Sequence, residues 1–367
     1  ETLLAASSKL EPVDKAGKDD NFFIMYTSGT TGNPKGVVHT HETQFWAVLT
    51  VVNSSDQREG DRYLGLLPFF HVGATAPMIA SIYKMHTVVI MQTFDPLRAW
   101  QLLESEKITN TLAVPAMLLF MLSVPDLERF DFSSLRQVFT GGAPVPVSTI
   151  LAFQKMGIEL LQGYGLTETC GPGCAISAED AKRKVGSTGR PNYHTAIRIV
   201  DENGHDVVPG EAGEVLFAGK HIMKEYWNLP DATAQTIRDG WFHTGDIAVM
   251  DEEGFITIKD RIKDMIISGG ENVYPAEIEN VLLQHEQIAD AAVIGQASAR
   301  WGESPLAVVV KKSTELREVD ILSHCNEKLA KFKLPKAVVF TDILPRNANG
   351  KVLKKILRDQ FPEPAVE

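Results

Sequence analysis

Hydrophobic positions in the first half of the chain fall into short apolar runs that alternate with segments of helical spacing. Apolar runs bounded by glycine or polar residues predict strands at Phe22–Tyr26, His86–Met91, Thr111–Val114, Arg136–Thr140 and Ile158–Gln162. Helices are predicted at Gln44–Val52, from Pro96 to about Lys107 behind an Asp95 N-cap, and from Pro115 onward. This alternation predicts an α/β fold with a parallel sheet covered by helices.

The pattern changes after about residue 185. Short strands are predicted at Ala196–Val200, Gly213–Phe217, Ile247–Met250 and Phe255–Ile258, with turn signals at Asp201–Gly204 and Asp251–Gly254. These segments predict a β-rich meander. After Arg261 a mixed pattern returns, with helices near Pro275–Gln284 and Glu315–Lys331 and strands near Ala291–Ile294 and Ala307–Val310. We predict a large domain over residues 1–262 and a small α+β domain over residues 263–367, with the boundary near Lys263.

The segment Leu64–Tyr83 has no charged Lys, Arg, Asp or Glu over twenty residues, which is long enough to consider a membrane span. Prolines, glycines and His71 interrupt it. A buried strand, a loop and a core helix are therefore the better interpretation.

Composition excludes several classes of protein. The 367 residues carry 36 Lys and Arg against 47 Asp and Glu, a formal net charge of −11, which disfavours nucleic-acid binding through the overall field. Apolar residues make up 44%, as in an ordinary globular protein. Three cysteines, without a C-x-x-C pair, argue against a disulfide framework or a zinc site and favour a reducing, cytoplasmic location.

The first residue is Glu1, so we expect a processed product or a fragment, and no charged-then-apolar leader opens the sequence.

The sharpest local signal is the segment Tyr26–Gly36, with three glycines, four Ser or Thr hydroxyls and one lysine in eleven residues. Glycines let backbone N–H groups approach an anion, hydroxyls donate to phosphate oxygens, and lysine neutralises charge. Pro34 and Gly36 exclude a Walker A loop. Taken alone, the segment fits a phosphate-binding loop or a plain surface turn.

Further segments follow in order behind that loop: Phe69–His71, Gly141–Pro144, Gln162–Thr169, Gly240–Asp246, Asp260–Glu279 and Leu344–Lys351. Together they strongly resemble the acyl-adenylate-forming superfamily, and most of all a carboxylate or fatty acyl-CoA ligase. The resemblance runs from about Phe22 to Lys355. It implies that ATP and a carboxylic acid form acyl-AMP and pyrophosphate, after which coenzyme A takes the acyl group and AMP leaves.

The resemblance assigns phosphate contacts to Thr27, Ser28, Gly29, Thr30, Thr31, Gly32 and Lys35. It assigns Mg²⁺ to Glu168 with help from the Thr27 hydroxyl, and an α-phosphate contact to Thr167. A carboxylate and a hydroxyl suit a hard cation. The alternative from local sequence is that Thr167 and Glu168 begin a helix.

Adenosine contacts are implied for the glycine-rich segments Gly141, Gly142, Ala143 and Gly163, Tyr164, Gly165. Tyr164 would stack on adenine, although a lone tyrosine is as often a core aromatic. Asp246 would accept from the ribose hydroxyls with Arg261 assisting, against the plain interpretation of a turn aspartate.

The remaining implied roles concern domain movement. Lys351 would be the catalytic lysine of adenylation, although a lysine in a basic run is more often a solvated one. Lys263 would be the hinge of a mobile C-terminal domain, and Gly269 and Gly270 would line a tunnel for coenzyme A, the alternative being a turn between a strand and a helix. His71 would position the carboxylate.

Two features depart from the family pattern. Asn349 stands where relatives commonly have Thr or Ser, and relatives usually carry a substantial region before the phosphate loop, which here begins at residue 27. That region often supplies part of a dimer surface, so a homodimer is a possible assembly.

Small and apolar residues in Val72–Met78, Val138–Gly142, Gly163–Gly165 and Val185–Gly186 predict a pocket for an aliphatic acid. Two alternatives stay open: an acyl-AMP ligase that loads a carrier protein, and a catalytically silent nucleotide-binding fragment.

Overall fold

A computed structural model of the chain describes residues 5–8, 10, 13, 15–27, 34–143, 145–347 and 350–362. The first elements in chain order are β1 (Asn21–Thr27), β2 (Lys35–Thr40), α1 (His41–Ser54), β3 (Arg62–Gly65), α2 (Val72–Tyr83), β4 (Thr87–Ile90), α3 (Pro96–Ser105), β5 (Asn110–Leu112), α4 (Pro115–Leu122), β6 (Gln137–Thr140), α5 (Val147–Lys155), β7 (Leu160–Leu166) and β8 (Gly171–Ala175).

The middle of the chain continues with α6 (Ala178–Arg183), β9 (Arg190–Pro191), β10 (Ala196–Val200), β11 (Ala212–Ala218), β12 (Glu225–Tyr226), α7 (Pro230–Thr236), β13 (Ile237–Arg238), β14 (Trp241–Met250) and β15 (Ile256–Arg261). The last part has β16 (Ile266–Ser268), β17 (Glu271–Val273), α8 (Pro275–Leu282), β18 (Ile288–Ser298), β19 (Gly302–Lys311), α9 (Glu318–Asn326), β20 (Ala337–Phe340) and α10 (Lys354–Gln360).

The largest sheet has the strand order β4-β3-β5-β6-β7-β8-β9. Its pairs from β4 to β7 are parallel, whereas β8 and β9 add antiparallel strands. The predicted parallel sheet is therefore confirmed. One boundary was wrong: the strand predicted at Ile158–Gln162 continues to Leu166, because its second half pairs with β8.

Helix α3 shows how local sequence sets an element. The Asp95 carboxylate accepts a 2.6 Å hydrogen bond from the Arg98 amide, and Pro96 takes the first helical position, as predicted. The helix then buries Trp100, whose indole Nε1 donates to the Met121 carbonyl at 3.0 Å. Trp100 lies in a core with Phe153 that fixes the helices on one face of the parallel sheet.

The uncharged segment Leu64–Tyr83 forms the end of β3, a loop and α2, as predicted. None of the helices in the described part of the chain has the length and apolar character that a membrane crossing would need.

The predicted meander is a sheet of order β10-β11-β14-β13, with β15 on β14. The turn Asp251–Gly254 joins β14 to β15, and Gly254 takes a φ of +81° that favours glycine. Strand β14 begins at Trp241 rather than at the predicted Ile247, because a register shift lets its first half pair with β11 as well.

The C-terminal elements build a sheet of order β17-β16-β19-β18, with β20 parallel to β19. Helix α9 ends at Asn326, so the prediction of a helix to Lys331 was too long. Lys263 lies in the single helical turn Ile262–Asp264, between a strand of the meander sheet and a strand of the C-terminal sheet. The division into two domains at this turn stays a prediction.

The cysteines Cys170, Cys174 and Cys325 are all buried and free. Burial raises the pKa of each thiol, to about 12 for Cys174 and about 11 for Cys325.

Candidate active site

A cavity of about 750 Å³ lies where the carboxyl ends of β6 and β7 meet the meander and the C-terminal elements. In open α/β sheets this edge is where ligands bind. The cavity brings together many of the residues singled out in the sequence: Thr27, Lys35, His71, Gly141, Gly142, Gly163, Gly165, Thr167, Glu168, Arg261 and Lys351.

Other predicted site residues do not line this cavity: Ala143, Tyr164, Asp246, Lys263, Gly269 and Gly270. Asp246 nevertheless forms an ion pair with the lining residue Arg261, and the Tyr164 hydroxyl donates a hydrogen bond to Asp246. The loop residues Ser28, Gly29, Thr30, Thr31 and Gly32, together with Asn349, lie outside the described residues.

Two antiparallel strands hold the ends of the predicted phosphate loop. Thr27 ends β1, Lys35 begins β2, and the two are Cα partners in the strand register. The described flanks are therefore two paired antiparallel strands, and not the strand and helix that flank a Walker A motif. Both flanking side chains belong to residues that line the cavity, so the hairpin presents a hydroxyl and a cation to it.

Glu168 is a buried carboxylate of the site, at 8% exposure. Its Oε1 accepts a 2.8 Å hydrogen bond from the Tyr226 hydroxyl, and the Lys35 ammonium lies 4.8 Å from the centre of the Tyr226 ring. Burial raises the pKa of Glu168, while the hydrogen bond from Tyr226 opposes that rise. The carboxylate consequently lies where an additional positive charge would stabilise its ionised form.

These surroundings fit a magnesium ion bound together with phosphates. Among the described residues no cluster of three or more His, Cys, Asp or Glu could hold a metal by itself. Mg²⁺ commonly binds one or two carboxylates while substrate phosphates and waters complete its shell. Glu168, a buried carboxylate that lines the same cavity as Thr27 and Lys35, matches that arrangement.

The helix start predicted at Thr167 and Glu168 is present as a single turn and not as a longer helix. Residues Thr167–Thr169 form one helical turn, and it is the Thr169 hydroxyl that accepts from the Leu166 amide at 2.8 Å. The side chain of Glu168 takes no part in capping, because it is directed to Tyr226 instead.

Two buried histidines that were not selected from the sequence, His39 and His221, support this turn. His39 Nε2 lies 2.7 Å from the Thr167 carbonyl oxygen, and His221 Nδ1 lies 2.9 Å from that of Thr169. Burial lowers the pKa of His39 to about 4 and also lowers that of His221, so both imidazoles are neutral at pH 7 and each can donate to a carbonyl. They fix the backbone on both sides of Glu168. No motif marks them, since each makes its contact across more than fifty residues of sequence.

Tyr164, Asp246 and Arg261 form a connected group. The Tyr164 hydroxyl donates to Asp246 Oδ2 at 2.6 Å, and Arg261 Nε lies 3.1 Å from Asp246 Oδ1. Burial, and then the Asp246 charge, raise the pKa of Tyr164, so the phenol keeps its proton. The Tyr164 ring stacks on Phe217 with centroids 5.6 Å apart. Each carboxylate oxygen can still accept a second hydrogen bond.

Gly141 leaves no room for a side chain. A Cβ there would lie 2.7 Å from the Gly163 carbonyl oxygen, so the segments after β6 and within β7 approach at backbone distance. Gly165 is closed in the same way by the Gly171 carbonyl. The glycines therefore set the shape of the cavity wall where the resemblance places adenine.

Lys351 reaches the cavity from the C-terminal part of the chain. It follows Gly350 in a hairpin closed by the Arg346–Val352 bridge, and its amide donates to Asn347 Oδ1 at 2.9 Å. Gly350 lies against α4, where a Cβ would come within 3.2 Å of the Ala116 Cβ. Burial, and then the nearby Arg261, lower the pKa of Lys351 to about 8. This segment thus packs against α4 and brings Lys351 into the lining of the cavity.

The predicted hinge and tunnel residues lie together in the C-terminal part. The Asp264 carboxylate, beside Lys263, accepts from Arg358 at 2.6 Å. Gly269 and Gly270 have φ of +62° and +86° and form the turn of the β16–β17 hairpin. The alternative of a turn between a strand and a helix was therefore wrong. A Cβ at Gly269 would lie 2.8 Å from the Trp301 ring.

The cavity continues into an inner arm between α1, α2, β3 and β5. We define the inner arm by Val51, Tyr63, Leu67, Val72, Gly73, Ala76, Ala80, Ser81, Asn110, Leu112 and Val114. His71 lies at its mouth as the N-cap of α2, with its ring 4.3 Å from that of Phe70. The predicted pocket residues Ala74, Met78, Val138, Val185 and Gly186 do not line the cavity, because α2 turns other positions inward and Val138 belongs to the core beneath the sheet.

Comparison with known proteins shows a match to AMP-binding enzymes along most of the chain. The family model described as AMP-binding enzyme matches residues 1–227, and the model described as AMP-binding enzyme C-terminal domain matches residues 277–351. The long-chain-fatty-acid–CoA ligase FadD13 of Mycobacterium tuberculosis is 46% identical, with the match covering 98% of this chain and 71% of that protein. A feruloyl-CoA synthase of Amycolatopsis sp. is 40% identical over 96% of this chain and 72% of its own length.

A solved structure is similar to this chain in both fold and sequence. The o-succinylbenzoate coenzyme A synthetase of Bacillus subtilis, in complex with ATP and magnesium ion, has a TM-score of 0.86 and 34% identity, covering 96% of this chain and 73% of that one. The chain belongs to the AMP-binding enzyme family and is an acid–thiol ligase, an acyl-CoA synthetase of the acyl-adenylate-forming superfamily.

Proposed function

We propose that the chain converts ATP and an acid with a mainly aliphatic body into an acyl adenylate and pyrophosphate. It then passes the acyl group to coenzyme A and releases AMP. The observation that carries this proposal is the meeting of Lys351 with Lys35, Thr27 and Glu168 around one cavity. Lys351 and Lys35 are separated by most of the sequence. Adenylation needs one positive charge next to the attacking carboxylate and another next to the phosphates.

Lys351 supplies electrostatic stabilisation in this proposal. With its pKa lowered to about 8, the ammonium is mostly protonated at pH 7 and incompletely hydrated. A desolvated cation interacts more strongly with charge that develops on a reacting oxygen than a solvated one does. Lys351 would orient the substrate carboxylate toward the α-phosphate and stabilise the negative charge there, while Thr167 contacts the same phosphate.

Glu168 and Thr27 are the residues that would hold Mg²⁺. Bound there, the ion would neutralise phosphate charge during pyrophosphate departure. Lys35 and the loop residues Ser28 to Gly32 would bind the β- and γ-phosphates. His39 and His221 keep the Glu168 backbone in place.

The adenosine would lie beside Gly141, Gly142, Ala143, Gly163 and Gly165, with Tyr164 near the base. The Asp246 carboxylate would accept from the ribose hydroxyls while Arg261 and Tyr164 hold it in position. Lys263 would be the hinge for a rotation that withdraws Lys351 and brings Gly269 and Gly270 to the thiol path. Homodimerisation and a cytoplasmic location stay predictions.

The apolar wall near the mouth of the inner arm supports an aliphatic acyl body. Leu67, Val72, Leu112 and Val114 provide this wall, and Gly73 and Ala76 leave width beside it. His71 at the mouth would position the carboxylate.

The test is carboxylate-dependent ATP–pyrophosphate exchange, followed by measurement of acyl-CoA, over short, medium and long aliphatic acids and aromatic acids. We expect exchange that requires Mg²⁺ and an acid, and acyl-CoA when coenzyme A is added. Exchange without acyl-CoA would favour a carrier-protein acceptor. An absence of exchange with every acid would overturn the proposal.

The Lys351→Ala variant divides the two half-reactions. It should lose exchange while it retains thioester formation from supplied acyl-AMP. Lys355→Ala changes an exposed lysine in the first turn of α10 and should retain both. Equal loss of both half-reactions in Lys351→Ala would contradict the role given to Lys351.

A further inference from the structure

The inner arm changes character along its depth. Helix α2 lines it from Val72 to Ser81, a rise of nine steps or about 13 Å at 1.5 Å per residue. The wall near the mouth is apolar, but the far end contains Ser81, Tyr63 and Asn110. A cavity for a plain hydrocarbon chain needs no polar groups at that depth.

These polar residues are adjacent because of the sheet topology. Tyr63 of β3 and Asn110 of β5 are Cα partners in the parallel register. Helix α2 connects parallel β3 and β4, so it runs antiparallel to them and its last turn returns to their amino ends. Consistent with this, the Ser81 carbonyl accepts from the His86 amide at 2.8 Å, next to the start of β4.

Tyr63 carries an unsatisfied polar group. Its side chain is 5% exposed and its hydroxyl has no hydrogen-bond partner among the described residues. A buried hydroxyl without a partner costs free energy relative to phenylalanine in the same place. A ligand oxygen that reached the Tyr63 hydroxyl from the end of the inner arm would remove that cost, and a terminal methyl group would not.

We propose that the acid substrate carries an oxygen, as a hydroxyl, keto or ether group, at the end opposite its carboxylate, and that Tyr63, with Ser81 and Asn110, recognises it. This inference rests on the proposed function, since the carboxylate must lie at the mouth for its distal end to reach Tyr63. The apolar body of the acid contacts the wall between them.

The experiment compares matched acids in ATP–pyrophosphate exchange. Unsubstituted fatty acids of medium length are paired with the same acids bearing a terminal hydroxyl, for example octanoate with 8-hydroxyoctanoate. We expect kcat/KM at the best length to favour the hydroxy acid about tenfold, the size of one satisfied neutral hydrogen bond. Equal or better use of the unsubstituted acid at every length would overturn the inference.

Two variants test which residues recognise the oxygen. Tyr63→Phe should reduce the preference to about twofold or less and leave the melting temperature unchanged or higher, because the lost hydroxyl has no partner in the protein. Ser81→Ala should reduce it to a smaller extent. Tyr83→Phe is the matched control, since Tyr83 is 52% exposed and does not line the cavity. An unchanged preference in Tyr63→Phe would contradict its role.

The outcomes separate this inference from the proposed function. Exchange with both members of each pair and no preference between them leaves adenylation standing and removes only the inference. No exchange with any acid overturns the proposed function, and the inference with it.

Discussion

Replacing Lys351 with methionine should make the protein more stable and less active at the same pH. Methionine keeps an apolar side chain of similar length and removes the charge. The pKa of Lys351 is lowered from 10.5 to about 8, which corresponds to about 3 kcal/mol. The buried ammonium therefore destabilises the folded protein by about that amount at pH 7. Lys351→Met should recover up to that amount in the free energy of unfolding.

The sign of the pH dependence follows from the same shift. Below pH 8 Lys351 is protonated in both folded and unfolded chains, and the full cost is present. Between about pH 8 and pH 10.5 the folded chain binds fewer protons than the unfolded one, so the wild-type protein gains stability from this group as pH rises. The stability difference between Lys351→Met and wild type should therefore be largest at pH 7 and vanish near pH 10.5.

The activity should change in the opposite direction. At an effective dielectric constant of about 20, a unit charge about 4 Å from an anion contributes about 4 kcal/mol, so exchange should fall by about a hundredfold to a thousandfold. The assays are urea denaturation at pH 7 and pH 9.5 and ATP–pyrophosphate exchange, with exposed Lys355→Met as the control. A variant that is less stable than wild type at pH 7, or whose stability difference does not change with pH, would refute the reasoning.

Three further changes test other parts of the site. Asp246→Ala should weaken ATP binding by tenfold or more in calorimetry, the size of a hydrogen bond to a charged group, and unchanged affinity would count against the ribose contact. His39→Gln should flatten the loss of stability that wild type shows as pH falls from about 6.5 to 4, because burial lowers the pKa of His39 to about 4 and the unfolded chain takes up the proton first. Gly270→Trp places a ring where no atom lies within 4 Å of the Cβ, and it should retain exchange but reduce thioester formation.

The last variant has a matched control. Gly204→Trp combines a similar φ, +82° against +86°, with equally open space, so it carries the same backbone strain away from the predicted thiol path. Normal acyl-CoA formation by Gly270→Trp would argue against the path. Equal loss in both variants would show backbone strain instead.

Local chemistry made parts of the fold predictable from sequence. The Asp95 cap and the Asp251–Gly254 turn depend on contacts within four residues, and both appear as expected. The boundary of β7 did not follow from local sequence, because Gly163 is a plausible strand end until β8 pairs beyond it. At such a position, pairing with a neighbouring strand outweighs the low strand propensity of glycine.

The site likewise contains residues that could be predicted from local sequence and contacts that could not. Glycines and hydroxyls around the phosphate loop could be identified from composition alone, but the hydrogen bond from Tyr164 to Asp246 joins residues 82 apart in sequence. The supports for Glu168 are more distant still, since His39 lies 128 residues from Thr167. A single histidine in an apolar strand carries no sign of the carbonyl it will meet.

The burial of the three cysteines has a consequence for an enzyme whose second substrate is a thiol. Disulfide exchange and sulfur oxidation both proceed through the thiolate, and a raised pKa at a buried sulfur removes the thiolate and the access together. Among the described residues, coenzyme A disulfide therefore finds no accessible thiolate with which to form a mixed disulfide.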